Sequence, residues 1–124
     1  PQRSIEERRE KHSPLRDVAG MLRSFDYVRH AAQAKVEELQ RVPRLAELAE
    51  AWSRAAAQAF LDAYRATAEH SCVMGEWREA ARLIDLFTLE KALYEVRYEL
   101  DNRPDWVVAP LAGLVRAVDA DGTA

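Results

Sequence analysis

Tyr94, Tyr98 and Trp106 are the side chains whose type and spacing most readily suggest chemistry. Phe87, Lys91, Tyr94 and Tyr98 are separated by steps of four, three and four, which at about 100° per residue sets them along one side of a helix. Asn102, Arg103 and Trp106 follow where that helix must stop, at Asn102-Arg103-Pro104. Saccharides present apolar C–H faces that stack on aromatic rings, and hydroxyl rims that take bidentate hydrogen bonds. Tyr, Trp, Asn, Arg and carboxylates around one helix end suit such a ligand. The same aromatics equally suit a helix–helix interface with their polar tips in water, and spacing leaves both readings open.

Other reactive side chains are poorly placed for catalysis. His12, His30 and His70 lie in separate segments, none of them four residues from another or three after a glutamate. Helical zinc and carboxylate-bridged di-metal patterns are therefore missing, and no metal site is expected. Cys72 has His70 as its one nearby basic neighbour and reads as an incidental thiol in a loop. Ser13, Ser24, Ser53 and Ser71 lack the strand and flanking glycines of a nucleophile elbow. Gly20, Gly75, Gly113 and Gly122 stand too far apart for a loop of amides that cradles phosphates. Asp17, beside Val18-Ala19, has the ordinary position of a carboxylate favoured by the dipole of a helix's first turn.

Composition says which elements hold these residues. Alanine supplies 22 of the 124 residues, against 15 for Val, Ile and Thr together. Helix formers outweigh strand formers, and the expected fold is all-α, a helical bundle of one domain. With 48% hydrophobic and 31% charged residues, the chain can bury a core and remain soluble. Its 18 basic and 21 acidic residues are interspersed, with a net charge of -3, so nucleic acid is not an expected partner. No run approaches the roughly 20 apolar residues of a membrane span, and the charged beginning has no apolar leader core. A single cysteine forms no internal disulfide, which fits a reducing cytoplasm.

Residues 1–12 read as a charged lead-in. At Ser13-Pro14 a capping hydroxyl precedes proline at the first helical position, so a helix starts there and runs to about Ala34, with Leu15, Val18, Leu22 and Phe25 as its apolar stripe. Pro43 forces a break. A second helix reaches about Glu69 with Leu45, Leu48, Trp52, Ala55, Ala59 and Phe60 turned inward. Residues 70–75 form a loop, 76–82 a short helix, and 83–101 the third long helix. In it Leu86, Leu89, Leu93, Val96 and Leu100 repeat at 3, 4, 3, 4, the spacing of a bundle seam. Residues 106–118 make a last amphipathic segment interrupted at Pro110, and 119–124 a frayed tail. The folded unit is thus 13–118.

Two segments carry a family resemblance: Ser13-Pro-Leu-Arg-Asp-Val-Ala-Gly-Met-Leu-Arg-Ser-Phe-Asp-Tyr27 and Leu89-Glu-Lys-Ala-Leu-Tyr-Glu-Val-Arg-Tyr-Glu-Leu-Asp-Asn-Arg-Pro-Asp-Trp106. Together they resemble the carboxyl-terminal part of bacterial maltokinases, including those fused behind a trehalose synthase domain. These are kinases of the aminoglycoside phosphotransferase type, which use ATP and Mg²⁺ to phosphorylate maltose at its reducing-end carbon and so feed α-glucan synthesis. The resemblance implies that the Tyr-Glu-x-x-Tyr-Glu helix lines the acceptor-sugar pocket, which falls on Tyr94, Glu95, Tyr98, Glu99, Asn102, Arg103 and Trp106. Asp17 would support the catalytic loop by hydrogen bonding.

The ATP-binding lobe, the catalytic loop with its base and the acidic Mg²⁺ motif of that family have no counterpart in these residues. Phosphoryl transfer depends on those groups. The resemblance therefore implies the helical part of a kinase C-lobe, inactive alone, with ATP and Mg²⁺ belonging to the parent enzyme and an N-terminal kinase lobe as its partner. A glucosamine kinase has similar architecture, and a charged amine would favour Glu95 and Glu99. A stand-alone helical interaction module is the reading without catalysis. Removal of the lobe should bare the surface near Leu15 to Phe25 and favour self-association there.

Overall fold

The computed structural model describes residues 13–39, 42–69 and 75–121. Their regular structure is α1 (Leu15–Leu39), α2 (Leu45–Ala68), α3 (Trp77–Asn102), a 3₁₀ turn (Pro104–Trp106) and α4 (Val108–Asp121). No strand occurs among the described residues, so the fold is all-α. The lead-in 1–12 with His12, the loop residues 70–74 with His70, Ser71 and Cys72, and residues 122–124 lie outside the described residues.

Local signals act as their chemistry requires. Ser13 Oγ accepts the Leu15 N–H at 3.3 Å and its carbonyl accepts the Arg16 N–H at 3.0 Å, which satisfies amides that have no partner within the helix. Without a breaker in 35–39, α1 runs past Ala34 to Leu39. The break at Pro43 ends on Arg44 in the left-handed region, with φ 61°. The anticipated division between 76–82 and 83–101 does not exist, because α3 is continuous from Trp77. Pro110 does not interrupt α4 either. It is the third residue of that helix, where an amide would have no intrahelical acceptor. The helix also takes in 119–121, which the sequence assigns to a tail.

α1 lies at the centre, packed against α3, α2 and α4, while the 3₁₀ turn bridges α3 and α4. Leu15 and Val18 meet Ala80 and Ile84 in the buried core, rimmed by Leu22, Phe60, Leu61, Tyr64, Trp77 and Phe87. Phe25 meets the edges of Trp52 and Phe60 at 6.4 and 6.0 Å. The Leu15–Phe25 stripe is thus the interior of the bundle, not a bared surface.

Two inward faces differ from expectation. In α2, Leu48, Trp52, Ala55 and Ala59 are exposed, and the inner side is Leu45, Ala49, Ser53, Ala56, Phe60 and Tyr64. Small residues there let α2 approach α1 closely. In α3, the buried residues are Ala80, Ile84, Ala92 and Glu99, whereas Leu86, Leu93 and Leu100 of the expected seam are 56%, 55% and 57% exposed. The side of α3 that faces α1 is the one whose alanines admit it and whose glutamates meet polar groups of α1.

Candidate functional site

Beneath the surface, α1 carries a buried ion network. Arg23, only 4% exposed, donates from Nε to Glu95 Oε2 at 2.9 Å and from Nη1 to Asp26 Oδ2 at 2.7 Å. Its Nη2 lies 2.8 Å from Glu95 Oε2 without hydrogen-bond geometry. Arg116 of α4 also donates to Asp26. Arg29 pairs with Asp26 at 3.4 Å and with Glu50 of α2 at 3.3 Å. Three arginines and three carboxylates thus tie α1 to each other helix, and pairing offsets the cost of taking these charges out of water. Arg29 Nη2 also lies 2.8 Å from His30 Nε2. A guanidinium only donates, so this imidazole nitrogen accepts and the ring is neutral. Burial first, then the Arg29 charge, hold the His30 pKa below its ordinary 6.5.

A second buried carboxylate holds the surface above it. Glu99 is 1% exposed and accepts from the Tyr27 hydroxyl on Oε1. Arg103 grips the same carboxylate with both forks, Nη2 to Oε1 at 2.7 Å and Nε to Oε2 at 3.0 Å. This bidentate pairing fixes the guanidinium plane. Burial, and next the bond to Glu99, push the Tyr27 pKa up. The bond to Glu99 raises that of Arg103.

Around Arg103 the aromatics line up. Tyr27 and Trp106 stack at 6.2 Å with planes 9° apart. Arg103 Cζ sits 5.3 Å from the Trp106 ring centre and 5.9 Å from that of Tyr98. Tyr98 and Tyr94 stack at 6.4 Å, and Lys91 Nζ lies 5.5 Å from the Tyr94 centre. The result is a continuous ladder of rings and cations in which Tyr94, Tyr98 and Trp106 are exposed. Such a surface offers ring faces to apolar C–H groups and cationic donors to hydroxyl or anionic oxygens.

Of the residues singled out from sequence, Tyr94, Tyr98, Arg103 and Trp106 come together in the ladder. Asn102 is at its edge, exposed, and donates from Nδ2 to the Tyr98 carbonyl at 2.8 Å. Glu95 and Glu99 lie on the inner side of α3, engaged by Arg23, Tyr27 and Arg103. Asp17 is exposed in the first turn of α1. Phe87 leaves the aromatic row: it is half-buried against the core, with Arg16 Cζ 4.5 Å from its ring centre. Tyr27 is the member that residue spacing missed, because it stands 72 residues before Glu99. Its one sequence signal is its place at the end of the segment Ser13–Tyr27 that carries the resemblance.

No family model matches the chain. Among the described residues no group of three or more His, Cys, Asp or Glu could hold a metal ion. No described helix is long and apolar enough to cross a membrane.

Proposed function

We propose that the ladder from Lys91 to Trp106 binds a saccharide, as the acceptor-side helical part of a maltokinase-like sugar phosphotransferase. The observation that carries this reading is the exposed run Lys91–Tyr94–Tyr98–Arg103–Trp106, backed by half-buried Tyr27 and held from beneath by the buried Glu99 carboxylate. The rings of Tyr94, Tyr98 and Trp106 stack on the C–H face of the sugar. Arg103, with Nη1 outside its bonds to Glu99, and Asn102 hydrogen-bond the hydroxyls. Glu95 and Glu99 are positioning residues that set the helix and the guanidinium plane.

The phosphoryl-transfer step belongs to groups other than these. Glu95 and Glu99, the carboxylates on the inner side of the ladder's helix, are paired with Arg23 and Arg103. In this reading ATP and Mg²⁺ belong to the parent enzyme's N-terminal lobe, and Asp17 supports the catalytic loop that lobe supplies.

Titration of the ¹⁵N-labelled protein with maltose, and separately with glucosamine, tests the reading by amide and indole chemical shifts. Shifts confined to Tyr94, Tyr98, Asn102, Arg103 and Trp106, stronger with maltose and lost in Trp106→Ala, are expected. A stronger response to glucosamine would move the substrate class to the amino sugars. The exposed leucines of α3 favour a second reading, a helical interaction module without a sugar ligand, and no shift with either sugar would leave that one standing.

A further inference from the structure

Leu86, Leu93 and Leu100 fall within about 40° of one another around α3, directed away from the core residues Ala80, Ile84, Ala92 and Glu99. Half-buried Leu89 and Val96 widen the stripe along one edge. Glu90 and Arg97, both exposed, stand on the other edge within about 60° of Leu93. A contiguous leucine stripe on a rigid 26-residue helix is unusual on an unpartnered surface.

The arrangement about Leu93 is symmetric. Leu86 precedes it by seven residues and Leu100 follows by seven; Leu89 precedes by four and Val96 follows by three; Glu90 precedes by three and Arg97 follows by four. At 1.5 Å per residue, reversal of the helix about Leu93 brings each of these pairs to the same height within about 1.5 Å. A twofold axis that relates antiparallel helices keeps each edge on its own side. Glu90 of one copy then faces Arg97 of the other, twice, with Leu93 against Leu93 and Leu86 against Leu100. Parallel pairing about an axis along the helices would instead carry the Glu90–Arg97 edge of one copy against the Leu89–Val96 edge of the other, with no opposite charge to meet it. Self-complementarity of this kind is what an isologous interface requires.

We propose that this face binds a second copy of the chain, α3 against α3, antiparallel about a twofold axis at Leu93. Arg97 has no salt bridge among the described residues. Glu90 has one, to Arg16 at 3.0 Å, which is exposed and weak, and a carboxylate accepts more than one donor. Tyr94 and Tyr98 are turned about 100° and 140° from Leu93, so the ladder stays outside the interface. The dimer and the sugar reading stand or fall separately.

Sedimentation velocity over a range of protein concentrations measures the association, with far-UV circular dichroism to follow the fold. A reversible dimer is expected. Leu93→Glu sets two carboxylates together on the axis and should weaken it about 100-fold. Glu90→Arg or Arg97→Glu alone should weaken it about 10-fold, and the two together should restore it, since the swapped charges face each other again. A monomer at every concentration overturns the proposal. So does a dimer indifferent to Leu93→Glu, or charge variants whose double is no tighter than either single. If Leu93→Glu loses its helical signal, the charge variants decide alone.

Discussion

The Tyr27 hydroxyl of α1 donates to the Glu99 carboxylate of α3 across 72 residues of sequence, and Arg103 closes on the same carboxylate from the helix end. One buried anion therefore joins two helices and orients the stack of Tyr27, Trp106 and Arg103. Its loss leaves a half-buried hydroxyl without an acceptor and frees Arg103. Glu99→Ala should cost about 3 kcal/mol and Tyr27→Phe about 1 kcal/mol. Urea denaturation should find the double variant less destabilised than the sum, because both changes remove one shared bond.

The same contact fixes a pH dependence at the alkaline end. Tyr27 ionises above its ordinary 10.0 in the folded protein, whereas the unfolded chain releases that proton near 10.0. Above that pH the folded state holds more protons, so stability falls as pH rises. Tyr27→Phe should flatten this part of the curve, measured by chemical denaturation at successive pH values.

His30 gives the opposite slope. Its folded pKa lies below the ordinary 6.5, so just under pH 6.5 the unfolded chain binds the proton and the folded protein does not. Stability is complete above 6.5 and falls as pH drops toward the folded pKa. His30→Gln keeps an acceptor for Arg29 and removes the titration. The difference between the two stability curves should change only inside that window and stay constant on either side of it.

Gly113 leaves room for Arg23. A Cβ at this position would meet Arg23 Nη1 and lie 3.0 Å from its Cζ. A guanidinium ordinarily swings away at little cost, but this one is held by Glu95 and Asp26 in the interior. Gly113→Ala should destabilise the protein by about 2 to 4 kcal/mol, although alanine is the better helix former. A melting temperature equal to that of the unaltered protein would contradict this account of the Arg23 pocket.

The local signals were legible because each acts over a few residues. Ser13 caps, Pro43 breaks and Pro104 stops the chain by rules of hydrogen bonding and φ that need no distant partner. The alignment of Lys91, Tyr94 and Tyr98 was legible for the same reason, since helical pitch alone aligns residues three and four apart, whereas Trp106 joins them through the 3₁₀ turn after the helix. Less legible were the roles of Glu95 and Glu99. Their spacing matches that of ligand groups, but Arg23 and Tyr27, far away in sequence, occupy them.

Sequence by itself determined that the chain is helical, where the first two helices start and the third stops, and that Tyr94 and Tyr98 share a side. Only tertiary structure decided which side of α2 and of α3 turns inward. Helix α3 is apolar on more than one side, and periodicity cannot rank two stripes of similar strength. The choice went to the side where small residues admit α1 and where charges meet charges, because a buried carboxylate tolerates burial only beside its partner. That left the regular leucine stripe facing out.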